Sequence, residues 1–327
     1  MPERTWPTNK ACRPRSDVLI STAGATSGMA AGDVHRVTVG DCTDLHYVDT
    51  GMYDTAEYGC VYLLDADRPA VVETGIGTHH DRVLDAVDAV GIDRAAVAVV
   101  AVTHVHLDHA GGAGLLADEL PAAEVVAPER GARHLIDPSR LWAGTRSAVG
   151  DQIRYYTEPE PVPEDRMRPL ADGDRVDLGD HTLVAHEAPG HAPHQVVFDH
   201  PENDAVFTAD AAGIYVPSLD RVEPTTPPPQ FDLERALADV ETLRELGRST
   251  LCYTHFGAHS AGDRLDEYAR RLAAWVETVR AAKAEHGDEG AVERLSADPE
   301  TAAVWGEHKA RGEAAMNVRG VLSYLDD

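Results

Sequence analysis

The stretch VAVVAVTHVHLDHAGG, residues 97–112, decides how the rest of the chain is read. Its first half is a short unbroken apolar run, the pattern of a buried strand. The run ends at Thr103, and His104, His106, Asp108 and His109 follow within six positions. In extended chain, residues two apart point to the same side, so His104 and His106 can address one point in space. Asp108 and His109 fall at the turn into a helix and can address a second. Imidazole nitrogen and carboxylate oxygen are donors that borderline divalent metals take. Gly111 and Gly112 let the loop pack closely on the chain beneath it.

Four donors do not close two metal sites, so further donors are expected at other strand ends. Three are found. His191 lies in APGHAPH (188–194), Asp210 ends AVFTAD (205–210), and His255 lies in LCYTHFG (251–257). Asp210 and His255 each end an apolar strand pattern, and His191 follows a few residues after one.

Around these points the chain alternates strands and helices. DVHRVTVG (33–40) and GCVYLLDADRPAVVETG (59–75) read as strands, the second turning at residues 66–69. THHDRVLDAVDAVG (78–91) reads as a helix with Val83, Leu84, Val87 and Val90 on one face and Gly91 as its stop. AGLLADEL (113–120) is a short helix and AEVVAP (123–128) another strand. Residues 130–165 break this rhythm: they read as mostly helical, carry Leu141, Trp142, Tyr155 and Tyr156, and end in the linker PEPVPED. Strands resume in DRVDLGDHTLVAHE (174–187), a hairpin about residues 179–180, then HQVVFDH and DAVFTAD. After the proline cluster PTTPPPQ, Asp232 is the expected N-cap of a helix with Leu233, Leu237, Val240 and Leu243 as its stripe. STLCYTHFG is the last expected strand; everything after Ala258 reads as helix.

THVHLDHAGG, PGHAPH, FTAD and YTHFG, in that order, resemble the metallo-β-lactamase superfamily over residues 34–262. The resemblance implies a four-layer αββα sandwich with metals at one edge between two sheets. It implies a first metal on His104, His106 and His191, a second on Asp108, His109 and His255, and Asp210 bridging the two. The expected cofactor is zinc, two per chain, with iron or manganese as alternatives. A hydroxide shared by two such cations is nucleophilic near neutral pH, so no Ser or Cys nucleophile is needed. Asp108 is the expected catalytic residue; either it or the metal-bound water itself handles the proton.

A bridging carboxylate at the Asp210 position resembles the glyoxalase II and lactonase branches, which implies a small thioester or lactone substrate. A basic cluster to hold a glutathione-like carboxylate is not evident in the sequence. The alternatives are an RNA- or DNA-processing phosphodiesterase of the same fold and a single-iron persulfide dioxygenase. The flavodiiron branch carries Glu where this chain has His106.

VVETG (71–75) stands where many relatives have Asp-Thr-Gly, a carboxylate that orients a ligand histidine. The reading of Glu73 is thus open between that role and an ordinary strand end. His194 lies close enough to His191 to line the pocket or simply pack. His79 and His80 are expected at the surface, and His181, His186 and His200 as exposed strand residues; His35 and His46 get no role. Tyr215 and Tyr253 are candidate oxyanion donors, although buried tyrosines more often serve the core. The helical insertion at about 130–165 is placed as a cap whose Trp142, Tyr155 and Tyr156 can shape a substrate pocket.

Acidic residues number 56 against 29 basic, a net charge of −27, and only Lys10, Lys283 and Lys309 are lysine. The acid is dispersed, which fits a solvated surface of the kind found in high-salt cytoplasm and bears on solubility rather than fold. It disfavours nucleic acid as a partner, which wants a basic face. No apolar stretch reaches the roughly 18 residues of a membrane span. Cys12, Cys42, Cys60 and Cys252 lack Cys-x-x-Cys spacing and read as reduced packing thiols. Residues 1–33 are expected to be a disordered tail rather than a signal peptide, with Met29 an alternative start to Met1. Residues 263–327 are read as a helical C-terminal extension. The sequence-based expectation is a cytoplasmic hydrolase acting on a small molecule.

Overall fold

The computed structural model describes residues 29–40 and 42–326. The expectations made for residues 1–28, including Cys12 and the disordered tail, lie outside the described residues. Residues 29–33 are held against the fold: Gly32 N donates to Asp49 O at 2.7 Å, and Met29 packs on the core.

The first sheet runs β1 (Val34–Arg36), β2 (Leu45–Asp49), β3 (Cys60–Leu64), β4 (Ala70–Val72), β5 (Val99–Ala101), β6 (Glu124–Pro128) and β7 (Met167–Leu170), in that spatial order. Pairing is antiparallel from β1 to β4 and parallel from β4 to β7. β4 and β5 are buried on both sides, which is why their sequences are continuous apolar runs rather than alternations.

The chain then forms β8 (Arg175–Asp177), β9 (Thr182–Glu187), β10 (Val196–His200), β11 (Ala205–Ala209), the small hairpin β12 (Ile214–Val216) and β13 (Arg221–Glu223), β14 (Thr250–Tyr253) and β15 (Gly257–Ser260). The second sheet has the order β15-β14-β11-β10-β9-β8, with β11 and β14 parallel. The inner faces of both sheets meet in one core, where Tyr62, Phe198, Phe207 and Phe256 are the bulkiest buried side chains.

Helices cover the outer faces. Against the first sheet lie α1 (His80–Ala89), α2 (Leu107–Ala110), α3 (Ala113–Glu119) and α4 (Glu129–Ile136), followed by α5 (Ser139–Val149). Against the second lie α6 (Leu233–Leu246) and α7 (Arg264–Ser296), then α8 (Ala302–Trp305) and α9 (Glu307–Asp326). The result is the αββα sandwich, with a helical C-terminal region. Asp232 caps α6 as expected, accepting from Arg235 N at 3.0 Å.

The structure departs from the sequence reading in places. GAHS at 257–260 is not helical: it returns antiparallel on β14 as an edge strand. β7 and the β12–β13 hairpin are strands of three or four residues, too short to show a period. His181 and His200 are buried, and His186 is half-buried. His181 Nε2 lies 3.0 Å from Asp44 Oδ2, and its Nδ1 lies 2.9 Å from His200 Nε2. These imidazoles were expected to be exposed; burial is possible because each finds a polar partner. His79 and His80 stand at the start of α1 as expected, both partly exposed.

Candidate metal centre

β5, β9, β11 and β14 deliver their donors to the same edge of the sandwich. The chain leaves β5 through Thr103 into His104 and His106, and α2 starts at once with Asp108 and His109. Gly111 and Gly112 lie under this turn; a Cβ on Gly112 would stand 2.5 Å from Thr74 O, and one on Gly111 2.7 Å from Ile76 C. Thr74 fastens the turn, its N and Oγ1 both donating to His109 O at 2.8 and 2.7 Å.

All seven candidate ligands converge. His106 Nδ1 lies 3.1 Å from both His104 Nε2 and His191 Nε2. On the other side, His255 Nε2 lies 3.3 Å from His109 Nε2 and 3.8 Å from Asp108 Oδ2. Asp210 stands between the groups: Oδ2 is 3.0 Å from His191 Nε2, 3.2 Å from His109 Nε2 and 3.6 Å from His104 Nε2, while Oδ1 is 3.7 Å from His255 Nε2. Ala209, just before it, has φ +47°, a left-handed backbone uncommon for a residue with a Cβ and often found where a site dictates geometry.

The donor set fits metal ions. With Zn–N bonds of 2.0–2.1 Å, tetrahedral ligands stand ~3.3 Å apart, close to the nitrogen separations seen here. Burial and the neighbouring imidazoles push His104 and His106 well below the usual histidine range, so their rings are neutral with lone pairs to give. Burial works against a charged Asp210, but His191 and His109 hold its carboxyl well below the ordinary range. Asp210 Oδ1 is buried without a hydrogen-bond partner among the described residues, a costly state that a cation would relieve.

The outer contacts set which nitrogen faces inward. Glu73 Oε1 lies 3.0 Å from His109 Nδ1, and the same oxygen accepts from Thr103 Oγ1 at 2.5 Å and Thr254 Oγ1 at 3.1 Å. The residue is buried and takes φ +72°. Glu73 thus reaches a candidate ligand histidine despite its extra methylene. His255 Nδ1 donates to Tyr58 O at 2.9 Å.

A cavity of about 80 Å³ opens on this centre. His106, Asp108, His191, Asp210 and His255 form its floor. Thr145, Ala148 and Val149 of α5 line it with Tyr156, so the insertion does face the site; Trp142 and Tyr155 are not among the lining residues. Tyr215 and Tyr253 do not line it either: Tyr215 donates to Asp220 at 2.7 Å, and Tyr253 belongs to the outer core. His194 stacks 6.1 Å from the His104 ring and is not among the residues that line the cavity.

The sequence reading missed Tyr53, Tyr58 and Glu313, which also line the cavity. Glu313 is paired with Lys309, and the only sequence signal for this pair was the scarcity of lysine.

This chain belongs to the metallo-β-lactamase superfamily, whose family model matches residues 55–255. Members of that superfamily are mostly hydrolases. An uncharacterized protein of Mycobacterium tuberculosis, Rv2581c, is 31% identical over 157 residues, 44% of this chain. The match spans 64% of that relative's length. Among solved structures, the superfamily protein ST1585 from Sulfolobus tokodaii aligns with a TM-score of 0.63 at 19% identity, covering 86% of this chain and 99% of that one. The family protein TTHA1429 from Thermus thermophilus aligns with a TM-score of 0.60 at 20% identity, covering 82% and 88%. At such identities the structural likeness speaks for the fold alone. Among the described residues no helix is long and apolar enough to cross a membrane.

Proposed function

We propose that this protein is a dinuclear metal-dependent hydrolase of a small ester-like substrate, a thioester or a lactone. The observation that carries the reading is the position of Asp210, with one carboxylate facing both histidine groups. His104, His106 and His191 would hold one ion, Asp108, His109 and His255 the other, and Asp210 both. Zinc suits the nitrogen-rich set. Such ions, when bound, acidify water and polarise a carbonyl oxygen.

The chain's own residues supply the rest. Asp108 is half-buried, lines the cavity, and takes and returns the proton of the reacting water. Leu107, Tyr53, Tyr58 and Ile214 give the cavity an apolar wall that suits a compact acyl group and excludes bulk water. Beyond Ala148, Val149 and Met316 the cavity adjoins a wider cleft of about 690 Å³ between α5 and α9, bordered by Arg311 and Arg319. Asp151 and Glu307 line it too, with Glu307 Oε2 3.7 Å from Arg311, so the cleft gives room for a longer substrate without selecting an anionic one. A cytoplasmic setting fits the free, buried thiols of Cys60 and Cys252.

The test is a hydrolysis panel of thioesters, lactones, phosphodiesters and β-lactams with metal-loaded protein. Turnover of a thioester or lactone is expected; none on either class removes the reading. One observation favours a second reading, phosphodiester cleavage. Arg130 and Arg133 line a cleft of about 460 Å³ beside the ligand loop, together with Glu129, His134, His194 and Gln230, and the sequence reading did not place these two guanidinium groups near the site. Turnover of bis(p-nitrophenyl) phosphate in the same panel would select it.

A further inference from the structure

Helix α9 lies beyond the stretch that the family model matches, yet Glu313 and Met316 line the metal cavity. Lys309, one turn before Glu313, is only 4% exposed. A buried lysine is rare, and rarer in a chain with three lysines in 327 residues. Its Nζ lies 2.6 Å from Glu313 Oε2. It also sits 3.8 Å from the centroid of the Tyr53 ring and 4.1 Å from that of Tyr58, held between two aromatic rings.

From this pair two lines of contact run to the site. Tyr58 OH donates to Glu313 Oε2 at 3.0 Å, while the Tyr58 carbonyl accepts the Nδ1 proton of His255 at 2.9 Å. One residue therefore ties the carboxylate on α9 to a candidate metal ligand. The second line passes through Tyr53, whose hydroxyl meets that of Tyr156 at 2.5 Å in the cavity wall. The helix itself is clamped: Asn317 Oδ1 accepts from Thr226 N at 2.7 Å, and Gly320 rides so close on the Thr226 carbonyl that no Cβ fits.

A buried ion pair is a poor stabiliser, because desolvation offsets the attraction and apolar isosteres often do as well. What it does provide is direction. Glu313 accepts from Lys309, from Tyr58 and, at 3.3 Å, from Asn317 Nδ2, so its carboxylate has one orientation. Burial opposes its ionisation, but Lys309 and the hydrogen bonds keep the carboxyl below its usual range.

We propose that Lys309 and Glu313 are positioning residues: through Tyr58 they fix the carbonyl that orients His255, and through Tyr53 they fix the tyrosine wall. The C-terminal helix is then a working part of the site. This inference rests on the metal-centre reading above. The test titrates chelator-stripped protein with Co(II), following visible absorption and heat, and records melting temperature alongside. Wild type should take two equivalents; failure to do so removes the metal-centre reading before any variant is considered. In the neutral isosteric double variant K309M/E313Q, and in Y58F, the second equivalent should bind about tenfold or more weakly, with a changed spectrum, as expected when a ligand's orienting contacts are altered. The first equivalent should be unaffected, and the double variant should melt near wild type. If both variants bind the second equivalent within twofold of wild type, whatever their melting temperatures, the pair is merely structural and the proposal is overturned.

Discussion

Glu73 and His109 are joined where the chain leaves the neighbouring strands β4 and β5, carboxylate Oε1 to imidazole Nδ1 at 3.0 Å. The contact leaves His109 Nε2 as the nitrogen that faces Asp210. Burial lowers the affinity of this ring for a proton, yet Asp210 and Glu73 together raise it well above the ordinary range. A cation in the centre would take over from that proton. Replacing Glu73 by Ala should therefore weaken one of two metal equivalents by about ten- to a hundredfold, the usual cost of losing such a partner. Isothermal titration of metal into stripped protein checks it; unchanged affinity would make Glu73 an ordinary buried acid.

Gly190 fixes the loop that carries His191. Its N donates to Asp239 Oδ2 at 2.7 Å, its carbonyl accepts from Asp232 N at 2.9 Å, and a Cβ here would run into the backbone of Ala236. Gly190→Ala is expected to cost about 1–3 kcal/mol, the range for forced overpacking. It should also weaken metal binding, because His191 must move with the loop. Denaturant unfolding and metal titration of the same variant read the two effects.

Asp239 gives this region a pH dependence. Burial pushes its carboxyl up to about 7 from 3.8, against the Gly190 hydrogen bond. The folded state then holds a proton that the unfolded state has released, so stability falls as pH rises from about 4 to about 7. Asp239→Asn should flatten the profile in that window and raise stability at pH 8 by at least ~1 kcal/mol. Urea unfolding at several pH values decides; equal slopes in both proteins would contradict it.

His181, His200 and Glu202 also bring ring nitrogens and a carboxylate together, but at the far end of β9 from His191. The His181–His200 separation of 2.9 Å is a hydrogen-bond length, and Asp44 occupies the other nitrogen of His181. Glu202 is 4.0 Å away and exposed. This cluster is a structural relay rather than a metal site. His200→Gln should cost ~1–3 kcal/mol of stability for a disturbed buried hydrogen bond and leave metal content at the wild-type value.

The candidate ligands could be picked out because each lies at or close behind a strand end, where local pattern and chemistry coincide. His104 to His109 are a contiguous motif, and His191, Asp210 and His255 follow apolar runs that any reading would make strands. The runs gave two strand-rich halves with flanking helices; the sandwich itself was implied by the family resemblance of the motifs. Lys309 and Glu313 were illegible for the opposite reason. Spaced four apart on a helix, they look like a solvated surface pair. Only the packing of α9 on Tyr58, 255 positions away from Glu313, turns them inward. β15 was missed because GAHS has no apolar period; its strand form comes from pairing with β14. His181 and His200 were misplaced because they partner each other, and Asp44, the second partner of His181, lies on the connection between β1 and β2.

The most direct measurement is the metal content of purified, folded protein after dialysis against limiting zinc, counted per chain by elemental analysis. Two equivalents, both abolished or weakened by Asp210→Ala with the fold retained, is the expected result. Fewer than two in the folded wild type, or two that survive loss of Asp210 unaltered, would contradict a centre built around that carboxylate.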